Sequence, residues 1–90
     1  MADTFDIEVA TPEKLVLHRA AESAQIPGKD GYMGILPGHA ALLSELGPGT
    51  LSITAAGKIE EFSVSGGYVE VRDNHVRVLA DSVEPGPRVV

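Results

Sequence analysis

Tyr68-Val69-Glu70-Val71-Arg72-Asp73-Asn74-His75-Val76-Arg77-Val78-Leu79-Ala80 is the stretch that decides the fold. Val69 and Val71 alternate with Tyr68, Glu70 and Arg72. Val76, Val78 and Ala80 alternate with His75, Arg77 and Leu79. Strict alternation marks a half-buried strand. Asp73-Asn74 lies between the two runs and tolerates the positive φ of a tight two-residue turn, so the stretch reads as a β-hairpin. Just before it, Ser65-Gly66-Gly67 reads as a bend where close backbone approach leaves no room for a side chain.

The pattern repeats outward from this hairpin. Phe5, Ile7 and Val9 share one strand face, with Asp6 and Glu8 on the other. Thr11-Pro12-Glu13 breaks the run, and Lys14 to His18 resumes it. Over Ala20 to Ile26, period 2 places Glu22 with Ala24 and Ile26, which leaves the inner face of that strand open. Pro27-Gly28-Lys29-Asp30-Gly31 is a turn, Tyr32 to Leu36 a short strand, and Pro37-Gly38 another turn. His39 to Leu46 has good helix propensity but is short and bounded by glycine and proline. Gly47-Pro48-Gly49 turns the chain. Leu51 and Ile53 then alternate with Ser52 and Thr54, and Ala56-Gly57-Lys58 turns again. Ile59 to Ser65 returns with Phe62 and Val64 on one face. Turns at such regular intervals predict an all-β sandwich or flattened barrel. Its expected core is Phe5, Ile7, Val9, Leu51, Ile53, Phe62, Val64, Val69, Val71, Val76 and Val78. Pro85-Gly86-Pro87 near the end predicts a loose tail over 82–90 behind a domain of 1–81.

Ninety residues make one domain with a thin core. Apolar residues are 43% of the chain, but it has no Trp, so Val, Leu, Ile and Ala must fill that core. A net charge of −6 repels phosphate backbones and anionic head groups, so neither nucleic acid nor direct lipid insertion is expected. No apolar run approaches the ~20 residues that span a bilayer. The start, Met1-Ala2-Asp3-Thr4, has no secretory signature. With no cysteine, disulfides and thiolate chemistry are excluded.

Catalytic signals are weak. His18, His39 and His75 are widely spaced and lack a metal-ligand pairing. Ser65, His39 and Asp81 make a triad only on paper, because Ser65-Gly66-Gly67 lacks the nucleophile elbow. Neither Gly31-x-x-Gly34 nor Gly66-Gly67 has the helix that a phosphate cradle needs. No catalytic, cofactor-binding or metal residue is therefore expected. Asp6, Glu8, Glu13, Glu22, Glu60, Glu61 and Glu70 are scattered and read as solvated strand faces. Lys29-Asp30-Gly31-Tyr32 is either an ordinary hairpin tip or, given its aromatic edge, a protein contact.

Three ordered segments carry a family resemblance. Gly31-Tyr32-Met33-Gly34-Ile35-Leu36-Pro37-Gly38-His39-Ala40-Ala41-Leu42-Leu43 is the most specific. Ser65-Gly66-Gly67 with its following strand and Val76-Arg77-Val78-Leu79-Ala80-Asp81 form the second. Phe5 to Glu13 is the third. Together they resemble the N-terminal β domain of the epsilon subunit of the rotary proton-translocating ATP synthase. The resemblance implies a sandwich of about ten short strands, with His39 to Leu46 in the sheet. It implies a non-catalytic subunit of the central rotor stalk that binds the gamma subunit and rests on the ring of c subunits. Such a subunit helps couple proton flow to ATP synthesis, at the cytoplasmic face of the bacterial plasma membrane and peripheral through its complex.

By family position, Lys29, Asp30, Gly31 and Tyr32 are expected at the c ring. His39, Leu42, Ser44 and Thr11 are expected at gamma. Tyr32 stands where relatives often carry an acid, so stacking or hydrogen bonding replaces an ion pair there. Most relatives continue past the Leu-Ala-Asp motif into a two-helix hairpin that can inhibit ATP hydrolysis and in some binds ATP. Here ten residues follow Ala80, too few for that arm, so coupling without self-inhibition is expected. The competing expectation is a free-standing β module for a small ligand or peptide.

Overall fold

The computed structural model describes residues 3–89. All regular structure among the described residues is strand: β1 (Phe5–Ala10), β2 (Leu15–Ala21), β3 (Ser23–Gly28), β4 (Gly31–Ile35), β5 (Leu42–Glu45), β6 (Gly49–Ala55), β7 (Lys58–Arg72) and β8 (His75–Val89). The alternating sequence sets these elements. In β1, Phe5, Ile7 and Val9 are buried while Asp6 faces solvent. Asp73 and Asn74 take φ of 52° and 62°, the left-handed pair that a tight turn between β7 and β8 requires.

Hydrogen bonding runs β2-β1-β8-β7-β6-β3-β4, with β5 also on β7. The two long strands bend and divide this path into two packed layers. The first layer is β2, β1, the first half of β8, the second half of β7, and β5. The second is β4, β3, β6, the first half of β7 and the second half of β8. β1 and β8 run parallel, and every other pair is antiparallel.

β7 crosses between the layers at Gly66 and Gly67, with φ of 68° and 100°. A Cβ on Gly67 would overlap the carbonyl of Leu79, and one on Gly66 the carboxylate of Asp81. Only glycine fits this double constraint of handedness and space. The strand count follows from the same bend. The described residues form eight strands where about ten were expected, because β7 and β8 keep one register on both sides of Gly66, from Ser65–Ser82 to Gly67–Ala80.

The expected loose tail is corrected in the same way. Ser82, Val83, Glu84 and Pro85 pair with Ser65, Val64, Ser63 and Phe62, and Val89 pairs with Glu60. Val90 lies outside the described residues. Proline is barred from helices and central strands, but this segment is a sheet edge, where a missing N–H costs no ladder bond. Gly86 lies where a Cβ would overlap the Glu61 backbone, beside the register shift between Glu60 and Phe62.

The inner faces meet in a core of aliphatic side chains. All the expected core residues are buried except Phe62, which is half-buried and packs against the rest. Leu17, Ala21, Ala24, Ile26, Ile35, Leu46 and Ala80 complete it. The open register over Ala20 to Ile26 resolves at Glu22. The chain bends there, so Ala21 ends β2 facing inward and Ala24 and Ile26 face inward from β3. No polar side chain is buried among the described residues.

Two substitutions test this architecture in opposite directions. Ala56 holds φ of 52° in the β6–β7 turn, a left-handed conformation that Asn adopts more readily. Ala56→Asn should raise urea-unfolding stability by about 0.5–1 kcal/mol. Val64→Asp places a carboxylate at a 4% exposed position with no partner. Its cost of several kcal/mol should leave the domain unfolded by circular dichroism.

Candidate functional site

The two outer faces of the sandwich differ in chemistry. Thr50, Ser52 and Thr54 from β6, Glu61, Ser63 and Ser65 from β7, and Gln25 from β3 line the second layer, with Ile59, opposite Thr54, exposed at its margin. Ser65 and Ser82 share a hydrogen bond at 3.0 Å. Hydroxyl and carboxylate groups of this kind are satisfied by water.

Cross-strand register builds ordered rows on the first layer. Leu15, Ala10, Leu79, Tyr68 and Glu45 are successive partners across β2, β1, β8, β7 and β5. The next row is His18, Glu8, Arg77, Glu70 and Leu43. Leu15, Tyr68 and Leu43 are 56%, 48% and 70% exposed, so large apolar side chains stand in solvent along one strip. Leu43, Ser44, Glu45 and Tyr68 line a shallow, mainly apolar groove within it. Apolar side chains clustered in solvent on a small acidic domain are a feature shared with protein-contact surfaces.

A charged band borders the strip. His75 Nε2 and Glu8 Oε1 are 2.5 Å apart, and Arg77 lies 3.7 Å from the same oxygen. The His75 hydrogen bond, with the nearby charges of His75, Arg77 and His18, holds the Glu8 carboxyl below the ordinary carboxylate value against partial desolvation. Asp6 lies 3.9 Å from His18 on the same face. Among the described residues, no three carboxylates or histidines are grouped so as to hold a metal ion.

The residues expected at the c ring form one unit. Lys29 and Asp30 make the β3–β4 turn, and Gly31 and Tyr32 begin β4. Tyr32 is 59% exposed, yet its hydroxyl accepts a 2.9 Å hydrogen bond from the Thr50 N–H. Its ring is thus fixed across Gly49 with one face open.

The residues expected at gamma are dispersed. Thr11 follows β1, is half-buried, and borders a cleft with Pro12, Gly67, Tyr68 and Leu79, beside the apolar strip. Leu42 and Ser44 pair with the inward-facing Val71 and Val69, so they lie on the core side of β5. Leu42 packs against the core itself. His39 lies at the opposite end of the sandwich from Thr11. The adjoining Gly38 N–H donates to the Asn74 side chain at 2.8 Å. The outward residues of β5 are Leu43 and Glu45, which reasoning from family position passed over. Parity was the available signal: if Val69 and Val71 face in, Tyr68 faces out, and β5 must match that alternation.

Comparison with known proteins places this geometry. The family model for the β-sandwich domain of the ATP synthase delta/epsilon chain matches residues 4–86. The ATP synthase epsilon chain of Desulfitobacterium hafniense is 49% identical over 89 residues, covering 99% of this chain and 67% of that protein. The epsilon chain of Koribacter versatilis is 49% identical over 84 residues, covering 93% of this chain and 59% of that protein. The chain thus spans between 59% and 67% of the length of these relatives. A chain of the Euglena gracilis mitochondrial ATP synthase superposes with a TM-score of 0.88 at 24% identity, over 94% of this chain and 55% of that one. A chain of the Tetrahymena thermophila mitochondrial central stalk and c-ring assembly gives 0.77 at 22% identity, over 89% and 65%. At these identities the two structures establish the shared fold.

The Glu8–His75 pair predicts a pH dependence. A carboxyl held low in the folded state contributes stability above the ordinary value of 4.5, lost as pH falls through the lower folded value. The stability difference between wild type and Glu8→Gln should be full at neutral pH and shrink as pH drops below 4.5. Urea titrations across that range check it; a constant difference would show that the pair adds nothing.

Proposed function

The chain belongs to the ATP synthase delta/epsilon family through its β-sandwich domain, and we propose that it acts as a central-stalk subunit of a proton-translocating ATP synthase. In this role it binds the gamma subunit and rests on the c ring, and it helps couple proton flow to ATP synthesis. It catalyses no step itself and is peripheral to the membrane, on the cytoplasmic face in a bacterial cell. The match across nearly the whole chain to epsilon chains carries this conclusion.

The two faces supply the physical support. The apolar strip of Leu15, Leu79, Tyr68 and Leu43 is the surface proposed for gamma, with Thr11 at its border. Covering it releases water from side chains that the sandwich alone cannot bury. Leu42 and Ser44 act from behind, by setting the edge on which Leu43 is displayed, and His39 contacts gamma beyond the opposite end of β5. The Lys29-Asp30-Gly31-Tyr32 hairpin is proposed for the c ring. Its tip offers one cation, one anion and an aromatic face to polar loops.

The chain lacks cysteine, so introduced thiols report cleanly. In an assembled enzyme, His39→Cys and Leu43→Cys should cross-link to gamma, and Tyr32→Cys to the c ring. Absence of all three cross-links would reject the proposed contacts. Tyr68→Glu should weaken gamma binding at least tenfold, about 1.4 kcal/mol. Ser63→Glu on the polar face should leave it unchanged. Equal effects of these two would show that the strip is not the docking surface.

A further inference from the structure

The β3–β4 hairpin is not a free tip. The Lys29 N–H donates to the Glu45 carbonyl at 3.1 Å, and the Gly47 N–H donates to the Pro27 carbonyl at 2.8 Å. Gly28 and Leu46 form an isolated antiparallel bridge between these bonds. Lys29 Nζ lies 3.5 Å from Glu45 Oε2 outside them. On the other side, Tyr32 accepts from the Thr50 N–H. One short segment, Glu45 to Thr50, therefore grips the hairpin at successive points along its base.

The same segment is anchored to the first layer. The Leu46 N–H donates to the Gly67 carbonyl at 3.0 Å, at the bend where β7 changes layers. Leu46 is itself 5% exposed and packed in the core. Glu45 ends β5 opposite Tyr68, within the apolar strip. Backbone hydrogen bonds thus run from the hairpin, through residues 45–50, into the strand that displays Leu43 and beside Tyr68.

One glycine, Gly47, makes the grip close, and a second, Gly28, shapes the hairpin that is held. A Cβ on Gly47 would lie 2.8 Å from the Gly28 carbonyl oxygen and 3.2 Å from Lys29 Cα. A Cβ on Gly28 would lie 2.7 Å from the Gly31 carbonyl oxygen. A methyl group on Gly47 meets the hairpin backbone and must push the hairpin away from the segment, whereas one on Gly28 meets the hairpin's own Gly31 carbonyl and must distort the strand whose Pro27 and Lys29 the segment holds.

We infer that Glu45 to Thr50 is a splint that makes the hairpin rigid with respect to the Leu43–Tyr68 face, and that Gly47 is its positioning residue. This inference rests on the proposed stalk role, in which the two surfaces meet different partners. A hairpin that swings independently of the gamma-binding face stores or loses rotation instead of transmitting it. The splint removes that freedom with paired backbone groups, which resist displacement better than exposed side-chain ion pairs.

Gly47→Ala is the primary test, with Gly28→Ala as the second variant. Hydrogen exchange on the isolated chain reads the splint directly. The Lys29 and Gly47 amides should exchange at least tenfold faster in each variant, while amides of β1 and of β8 from His75 to Ala80 stay as in wild type. In an enzyme reconstituted with each variant, ATP-driven proton pumping per ATP hydrolysed should fall at least twofold with gamma affinity unchanged. Unchanged exchange at Lys29 and Gly47 would overturn the splint. Faster exchange with unchanged pumping per ATP would overturn its role in coupling. If the wild-type chain neither binds gamma nor restores pumping, the stalk proposal fails instead, and the exchange result still decides the splint.

Discussion

The architecture hangs on one backbone crossing. At Gly66–Gly67 β7 leaves one layer and enters the other, with Leu79 and Asp81 occupying the space that side chains would need. β7 pairs with β8 throughout, with β6 before the bend and with β5 after it. A slip of one residue on either side would turn Val64 or Val69 outward and reverse every neighbouring face. The bend therefore fixes which residues form the core and which form the two outer surfaces.

Function follows from the inequality of those surfaces. The second layer presents mainly hydroxyls that water satisfies, with Ile59 exposed at its margin. The first presents Leu15, Tyr68 and Leu43, whose exposure is unfavourable until something covers them. A small domain has little stability to spare, so such a surface is best explained by a partner. β5 is the element that joins the pieces. Its outer side belongs to the apolar strip, its inner side closes the core, and its end holds the β3–β4 hairpin.

Local rules made much of this legible. Alternation identified the buried faces of β1, β6, β7 and β8, because a strand with one wet face must alternate. Asp73-Asn74 declared its turn, because few other residues accept two successive left-handed conformations. The Gly66-Gly67 pair was correctly read as a bend, but its sequence does not say that pairing continues through it. Pro85 and Pro87 misled for a related reason: proline forbids a central strand, and only topology reveals an edge. Ala21 is hidden in the sequence because the bend at Glu22 resets the parity between β2 and β3. The docking strip was least legible. It comes from five strands whose side-by-side order no local pattern encodes, and family position pointed to Leu42 and Ser44 instead of the outward Leu43.

The central claim is that the apolar face of the first layer, and not the polar face of the second, meets the stalk. Hydrogen-exchange footprinting of this chain alone and bound to gamma tests it most directly. The account predicts added protection at Thr11–Leu15, around His39, at Leu43–Glu45, Tyr68–Glu70 and the segment around Leu79, with Thr50–Thr54 unchanged. Protection centred on Thr50–Thr54 and Ser63–Ser65, with none at Leu43 or Tyr68, would contradict it.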